Sequence, residues 1–197
     1  MDDTDQPVNE AMVQIPKKKS VIFIFLLSIV TFGVYCQIWY LKRSPELNNL
    51  QTQTKSKKGS AIFALVIHLL LLGSIIGLFV DASLEGINSI NPNEVPLIFI
   101  ILSFASLGLI LINILIFIVL SFKARKILNE SLLNKGVQNK ISGFYTLFLN
   151  YYYLQYEINR IIKDTESKKR IGPLITFLVI YIVIPICFAI YYYLRLN

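Results

Sequence analysis

Four long stretches of this chain contain no charged residue, and this feature limits the fold more than any other. They cover residues 20–41, 59–80, 95–122 and 171–194 and are 22, 22, 28 and 24 residues long. A helix needs about 20 apolar residues to cross the hydrocarbon core of a bilayer. A soluble core helix would carry a polar face, which these stretches lack. The sequence therefore predicts an all-α membrane helix bundle with four long hydrophobic helices.

The positive charge is concentrated in particular loops, which indicates an orientation. Of the 19 Lys and Arg residues, 3 precede the first stretch, 5 lie in 42–58, none in 81–94 and 10 in 123–170. Cytoplasmic loops of membrane proteins retain Lys and Arg, so we expect 81–94 to be the outside loop. Anionic lipid headgroups are sufficient partners for the basic loops. The net charge of +7 therefore does not indicate nucleic-acid binding.

We expect one membrane domain over 20–197, after a disordered tail over 1–19. The predicted helices cover about 20–41, 59–80, 95–134, 142–161 and 171–194. The third helix extends into the cytoplasm because Ala124, Leu128 and Leu132 share one face. In the last helix, Pro185 predicts a kink.

The first stretch allows two interpretations, because both of its ends are basic. Lys17–Lys19 precede it, and Lys42 and Arg43 follow it. A tilted spanning helix would leave one basic group outside. A re-entrant segment with a break near 31–33 would keep both groups on one side, since glycine tolerates such a bend. After the stretch, Ser44 is expected to cap a new helix that begins at Pro45.

A second segment has the same character. Residues 141–156 carry no charge and are flanked by basic residues on both sides. A helix of this length is short for crossing a bilayer, so a re-entrant or interfacial helix is expected over about 142–161. Gly33 and Tyr35 match Gly143 and Tyr145, and Glu46 matches Glu157, at offsets of 110 and 111 residues, which suggests an internal repeat.

Short motifs in both segments carry a family resemblance. The pattern T-x-G-x-Y with a Trp four residues later, basic residues and E-L-N resembles the DUF4234 family of bacterial membrane proteins, as does Y-L-Q-Y-x-I-N-R further along. The matching positions are Gly33, Tyr35, Trp39, Asn48, Tyr153, Gln155 and Asn159. The resemblance implies a multi-pass protein of the bacterial inner membrane. It implies no catalytic role for any of these residues.

Within the apolar stretches the candidates for chemistry are few. His68 is the only histidine, and Asn113 lies near the middle of the third stretch. Each is either a functional intramembrane group or a structural one that bonds to a neighbouring helix. No Asp or Glu lies in any stretch, and metal binding needs several ligands. We therefore expect no catalytic, cofactor-binding or metal-binding residue, and no enzyme.

The sequence thus favours a non-catalytic scaffold, regulatory or sensing module. Its expected partners are membrane lipids, with a second copy of the chain or another membrane protein left open. The alternative is a small transporter or channel subunit with a polar route near His68 and Asn113. That alternative predicts that these two side chains face one another inside the bundle.

Overall fold

The computed structural model describes residues 16–84, 97–163, 165 and 171–196, and within these ranges the regular elements are all helices. They are α1 Val21–Val30, α2 Val34–Asn48, α3 Lys58–Leu84, α4 Leu97–Asn134, α5 Gly143–Ile162, α6 Ile171–Leu178, a π-helical turn Val179–Val183 and α7 Ile184–Leu196. The predicted tail up to residue 15 and most of the predicted outside loop lie outside the described residues. Residues 81–84 of that loop continue α3.

The all-α prediction is confirmed, but the count of four long helices is wrong. Three helical segments are long and apolar enough to cross a membrane, at Lys58–Val80, Leu97–Asn134 and Ile171–Arg195. The first apolar stretch instead forms two helices, α1 with 10 residues and α2 with 15. Its composition is that of a membrane helix, but its middle is not helical.

The break between α1 and α2 is held by hydrogen bonds at residues 31–33. Phe32 and Gly33 have φ angles of 48° and 86°, and glycine adopts such left-handed angles at little cost. Thr31 Oγ1 accepts a bond of 3.0 Å from the backbone N–H of Tyr35. The carbonyl oxygen of Phe32 lies 2.9 Å from His68 Nε2 on α3. In hydrocarbon each freed backbone group needs such a partner, so these contacts explain why the chain can bend here.

The two helices fold back on one another as a hairpin. Arg43 Nη2 donates to the carbonyl oxygen of Lys17 at 2.7 Å, and the backbone N–H of Lys17 lies 3.3 Å from a carboxylate oxygen of Glu46. The basic residues before α1 and within α2 therefore lie at the same end of the bundle. This geometry is that of the re-entrant interpretation and excludes one straight spanning helix.

The depth of this hairpin follows from its contact with α3. His68, which contacts the hairpin tip, is ten residues past Lys58, where α3 begins. At the usual helical rise this corresponds to about 15 Å. The hydrocarbon core is about 30 Å thick. The hairpin tip therefore lies near the middle of the spanning length of α3.

The predicted new helix at Ser44 and Pro45 does not exist, because α2 runs through both residues to Asn48. Ser44 Oγ donates to the carbonyl oxygen of Tyr40 inside the helix, at 2.8 Å. Tyr40 and Leu47, before and after the proline, are both buried in the core. This packing keeps α2 continuous past a residue that lacks a backbone donor.

α5 occupies the predicted range but is also broken, at Asn150 with φ 48° and ψ −132°. Phe148, before the break, packs its ring 5.7 Å from that of Tyr181, whereas Tyr156, after the break, lies against Gly172. The residue before the break thus contacts Tyr181, and a residue after the break contacts a position nine residues earlier on the last helix. The second half of α5 therefore turns back along the last helix.

The last apolar segment is irregular just before the proline at which a kink was predicted. The π-helical turn Val179–Val183 ends just before Ile184 and Pro185. Proline removes a backbone donor and its ring crowds the carbonyl of the preceding turn, and π turns are a recognised cause of helix bending. The irregularity therefore lies directly ahead of the proline rather than at it.

The core lies at the basic end of the bundle, where α2, α4 and α5 meet. Trp39, Ile127, Leu154 and Ile158 are almost completely buried there. The predicted apolar face of the α4 extension, at Ala124, Leu128 and Leu132, is buried in the same cluster. The α1–α2 hairpin is the first hairpin, and the two halves of α5 form the second. Both are packed around the extended half of α4.

Candidate functional site

The side chain of Gln155 is the centre of a buried polar junction that joins the two hairpins. It is completely buried. Its Oε1 accepts hydrogen bonds from Trp39 Nε1 at 2.9 Å and from Arg43 Nη2 at 2.7 Å. Its Nε2 donates to Asn159 Oδ1 at 2.9 Å. One amide therefore joins α5 to α2 through its oxygen and holds Asn159 of its own helix through its nitrogen.

Arg43 brings a positive charge into this junction. Its side chain has no exposed surface, and it forms an ion pair with Glu46. Its guanidinium also donates to Gln155 and to the backbone of Lys17. Burying a charge is costly unless it is paired and hydrogen-bonded. These partners meet that requirement for both terminal nitrogens, so the charge acts as a fixed part of the fold.

Asn159 holds the segment that enters α1. Its Nδ2 donates to the carbonyl oxygen of Lys19 at 2.6 Å, and its Oδ1 accepts from the backbone N–H of Lys19 at 3.2 Å. Partial burial, with the nearby Arg43 guanidinium, lowers the pKa of the Lys19 ammonium group from its usual value. The junction therefore concentrates positive charge where the chain enters the first hairpin.

A second polar cluster lies at the break in α5. Asn150 Oδ1 accepts from the hydroxyls of Tyr40 and Ser121, both at 2.6 Å, and from the backbone N–H of Tyr151 at 2.7 Å. Asn150 thereby caps the second half of its own helix and ties it to α2 and α4. Asparagine tolerates positive φ better than most residues, which fits its place at the break.

Tyr151 links the two hairpins deeper in the bundle. Its hydroxyl donates to Ser28 Oγ at 2.8 Å and accepts from the Cys36 thiol at 3.0 Å. Cys187 is exposed and both cysteines are free thiols. Cys36 therefore has a packing and hydrogen-bonding environment of its own, separate from Cys187.

His68 and Asn113 are brought together between α3 and α4. Asn113 Nδ2 lies 3.2 Å from His68 Nδ1. Because the Phe32 carbonyl oxygen can only accept, Nε2 of His68 is the donor in that hydrogen bond. The amide of Gln37 lies beside the same ring, with its nitrogen facing the carbonyl oxygens of Gly33 and Val34. The two predicted intramembrane polar residues thus form one cluster that also holds the hairpin tip.

The family-motif residues of the first hairpin occupy structural positions. Gly33 makes the turn, and Tyr35 is capped by Thr31. Trp39 donates to Gln155 of α5. Asn48 fixes the following loop, since its side chain both donates to the carbonyl oxygen and accepts from the N–H of Ser56, at 2.9 and 2.6 Å. The motif residues therefore form the turn between α1 and α2, join α2 to α5 and fix the loop that follows α2.

The predicted register of the internal repeat is not the structural one. Gly143 lies at the start of α5, after the capping Ser142, whereas Gly33 lies at a break. The two breaks align instead at Phe32 and Asn150, which both have φ 48°. A tyrosine follows each by three residues and a buried glutamine by five, Tyr35 and Gln37 in the first hairpin and Tyr153 and Gln155 in the second.

Sequence reasoning missed Arg43, Asn150 and Ser121 as site residues. A signal existed for Asn150 and Ser121, since a polar side chain inside an apolar segment indicates a buried hydrogen bond. Arg43 gave no such signal, because a basic residue after an apolar stretch normally lies in water at the membrane surface.

The described residues also contain a buried ion pair, between Glu157 and Arg160 at 3.0 Å. Arg160 Nη2 donates to the carbonyl oxygen of Thr165, which ties the end of α5 to the chain that follows. Within the described ranges, His, Cys, Asp and Glu side chains form no group of three or more that could hold a metal ion.

The fold and the junction define a class: an all-α membrane protein in which broken helices are tied to spanning helices by buried polar side chains. Within this class the chain belongs to the family described as Domain of unknown function (DUF4234), whose model matches residues 19–130. The match includes the first hairpin, α3 and most of α4. It ends before Tyr153, Gln155 and Asn159. No curated protein and no solved structure matches the chain.

Proposed function

We propose that the protein is a non-catalytic module of the bacterial cell membrane, crossing it several times, that scaffolds, regulates or senses through lipids or a membrane protein partner. The observation that carries this proposal is the Gln155 junction. Its polar side chains are bonded to one another and to the backbone, and they join helices together. Polar groups used in this way provide rigidity and specificity of fold.

The last helix supports an interaction role. Residues 184–195 of α7 are exposed along the whole length, among them Phe188, Tyr191, Tyr192 and Tyr193. Aromatic residues are enriched at protein interfaces and at the headgroup level of membranes. A helix that is apolar on every side suits lipid or another membrane helix as its surroundings.

Cysteine labelling of the intact chain tests the membrane arrangement. Single cysteines replace Lys18, Ser56, Asn88 and Asn139 in a variant without the two native cysteines, and an impermeant reagent is added to sealed vesicles of known orientation. We expect Lys18→Cys, Ser56→Cys and Asn139→Cys to react from the cytoplasmic side and Asn88→Cys from the opposite side. Reaction of Lys18→Cys and Ser56→Cys from opposite sides would contradict the proposed arrangement.

The interaction role is tested by native purification. Wild type and a Phe188→Ala/Tyr192→Ala variant are purified from their own membrane in mild detergent, with Phe104→Ala/Phe79→Ala as the control on other exposed aromatic positions. We expect a defined complex with the wild type and the control and a weaker one with the α7 variant. A monomer in all three preparations would argue against a scaffold.

A small transporter or channel subunit is the second candidate, and the contact of His68 with Asn113 favours it. The ring of His68 lies 3.2 Å from the amide nitrogen of Asn113, and Gln37 lies beside it. Polar side chains in contact with one another at membrane depth are typical of an ion or proton pathway. Ion or proton flux into proteoliposomes that is lost in His68→Ala and Asn113→Leu would support this candidate, and absence of flux in the wild type would exclude it.

A further inference from the structure

An open apolar groove lies between α3 and α4 at the basic end of the bundle. Its volume is about 480 Å³, and its lining includes Gly59 and Phe63 of α3 and Leu115 and Val119 of α4. Sites for small organic ligands commonly enclose about 300–1,000 Å³. The groove therefore has the size of a ligand site, and its walls are almost entirely hydrocarbon.

The groove faces away from the packed core. Phe63, Leu115 and Val119 are 56%, 63% and 64% exposed, whereas Ala61 and Ala64 on the same helix are buried. No described part of the chain covers these exposed side chains. Apolar surface of this kind suits a hydrocarbon chain as its occupant.

The mouth of the groove is positively charged. Lys57 and Lys58 directly precede Gly59, and Lys123 follows Val119 by four residues, which places it on the same face of α4. Basic pockets between membrane helices on the cytoplasmic side bind anionic lipid headgroups. An apolar groove with lysines next to its lining residues is complementary to a molecule with a hydrocarbon chain and a negatively charged head.

We propose that this groove binds one anionic phospholipid, with an acyl chain along Phe63 and Leu115 and the phosphate headgroup at Lys57, Lys58 and Lys123. The inference rests on the membrane placement in the proposed function and names the lipid class that the module recognises. A second copy of the chain is the competing occupant. It would leave the lysine charges without a partner in the contact, because the copies would bring like charges together.

Gly59 offers a way to block the groove without disturbing the fold. A Cβ at Gly59 would meet nothing within 4 Å, and the same holds for Gly73, which lies on α3 outside the groove. Gly59→Leu therefore fills the groove, and Gly73→Leu is the matched control. For the charges, the triple variant Lys57→Gln/Lys58→Gln/Lys123→Gln is compared with an equal charge change elsewhere, Lys18→Gln/Lys135→Gln/Lys163→Gln.

Native mass spectrometry of the full chain in mild detergent measures the binding. The protein is titrated with phosphatidylglycerol or with phosphatidylcholine of the same acyl chains. We expect one tightly retained phosphatidylglycerol on the wild type and both controls, and weak phosphatidylcholine binding. Each lysine near the surface contributes roughly a fivefold change in affinity, so the triple variant should bind roughly 100-fold more weakly. Gly59→Leu should lose the retained lipid.

Three results would overturn the proposal. These are equal retention by Gly59→Leu and Gly73→Leu, equal binding of the two lipids by the wild type, and conversion of a dimer to a monomer by Gly59→Leu with the lipid still bound. The last result would assign the groove to a second copy. Lipid retention by purified protein does not depend on sidedness, so a failure here is distinguishable from a failure of the cysteine labelling.

Discussion

Replacing Gln155 by leucine should destabilise the protein strongly. Leucine keeps a similar volume but removes the oxygen that accepts from Trp39 Nε1 and Arg43 Nη2. Both donors are buried, so neither gains a water molecule in exchange. A buried donor left without a partner costs about 1–3 kcal/mol, and a bond to a charged group is worth about 1.5–3 kcal/mol.

The expected loss is therefore roughly 3–5 kcal/mol. For a chain of about 200 residues, each 1 kcal/mol changes the midpoint of thermal unfolding by about 2–4 °C, so a decrease of about 10 °C is expected. Trp39 is the only tryptophan, so its fluorescence reports unfolding at the junction itself. The measurement is a thermal scan of the purified protein in detergent.

Two further variants control this experiment. Gln138→Leu makes the same substitution at an exposed position and should change stability by less than about 0.5 kcal/mol. Gln155→Glu keeps an acceptor for both donors and should recover most of the loss. If Gln155→Leu unfolded within about 2 °C of the wild type, which corresponds to less than about 1 kcal/mol, the junction would not hold the hairpins together.

Two other predictions concern the breaks. Gly33→Ala should lower stability by about 1–3 kcal/mol, because a left-handed non-glycine backbone is strained and the new Cβ would lie 3.1 Å from the histidine ring on α3. Gly73→Ala, in open space within a helix, should instead be neutral or stabilising in the same thermal scan. Asn150→Ala should cost about 2–4 kcal/mol by removing the acceptor of Tyr40 and of a serine on α4. Exposed Asn139→Ala should leave the thermal midpoint unchanged, and equal midpoints for both asparagine variants would refute this assignment.

The helical character of the fold could be predicted from the sequence because lipid forces an apolar segment to satisfy its own backbone. The ambiguity of residues 20–41 could be recognised from Lys17–Lys19 and Arg43, since both ends carry the same charge. The sequence could not show which of the two interpretations is right. The bend depends on His68, which lies 36 residues from Phe32 and contacts it only in the tertiary structure.

The candidate site was predictable only in part. His68 and Asn113 were identifiable as polar residues in apolar stretches, and their contact follows from the antiparallel packing of α3 and α4. The junction was not predictable, because it depends on pairing Trp39 with Gln155, 116 residues apart. The buried Arg43 depends on the same pairing, since only the folded hairpins remove it from water.

The two hairpins solve one structural problem with different residues. Each must reverse a helix where no water can bond to the freed backbone groups. The first uses Gly33 for the left-handed angle and the Thr31 side chain to cap the next helix. The second uses Asn150 for both purposes, since its side chain caps Tyr151 while its backbone takes the positive φ. An alignment of the two hairpins therefore does not pair Gly33 with Gly143. The equivalent positions are Phe32 and Asn150, which share a positive φ of 48°, and the buried glutamine five residues beyond each is the feature that both hairpins retain.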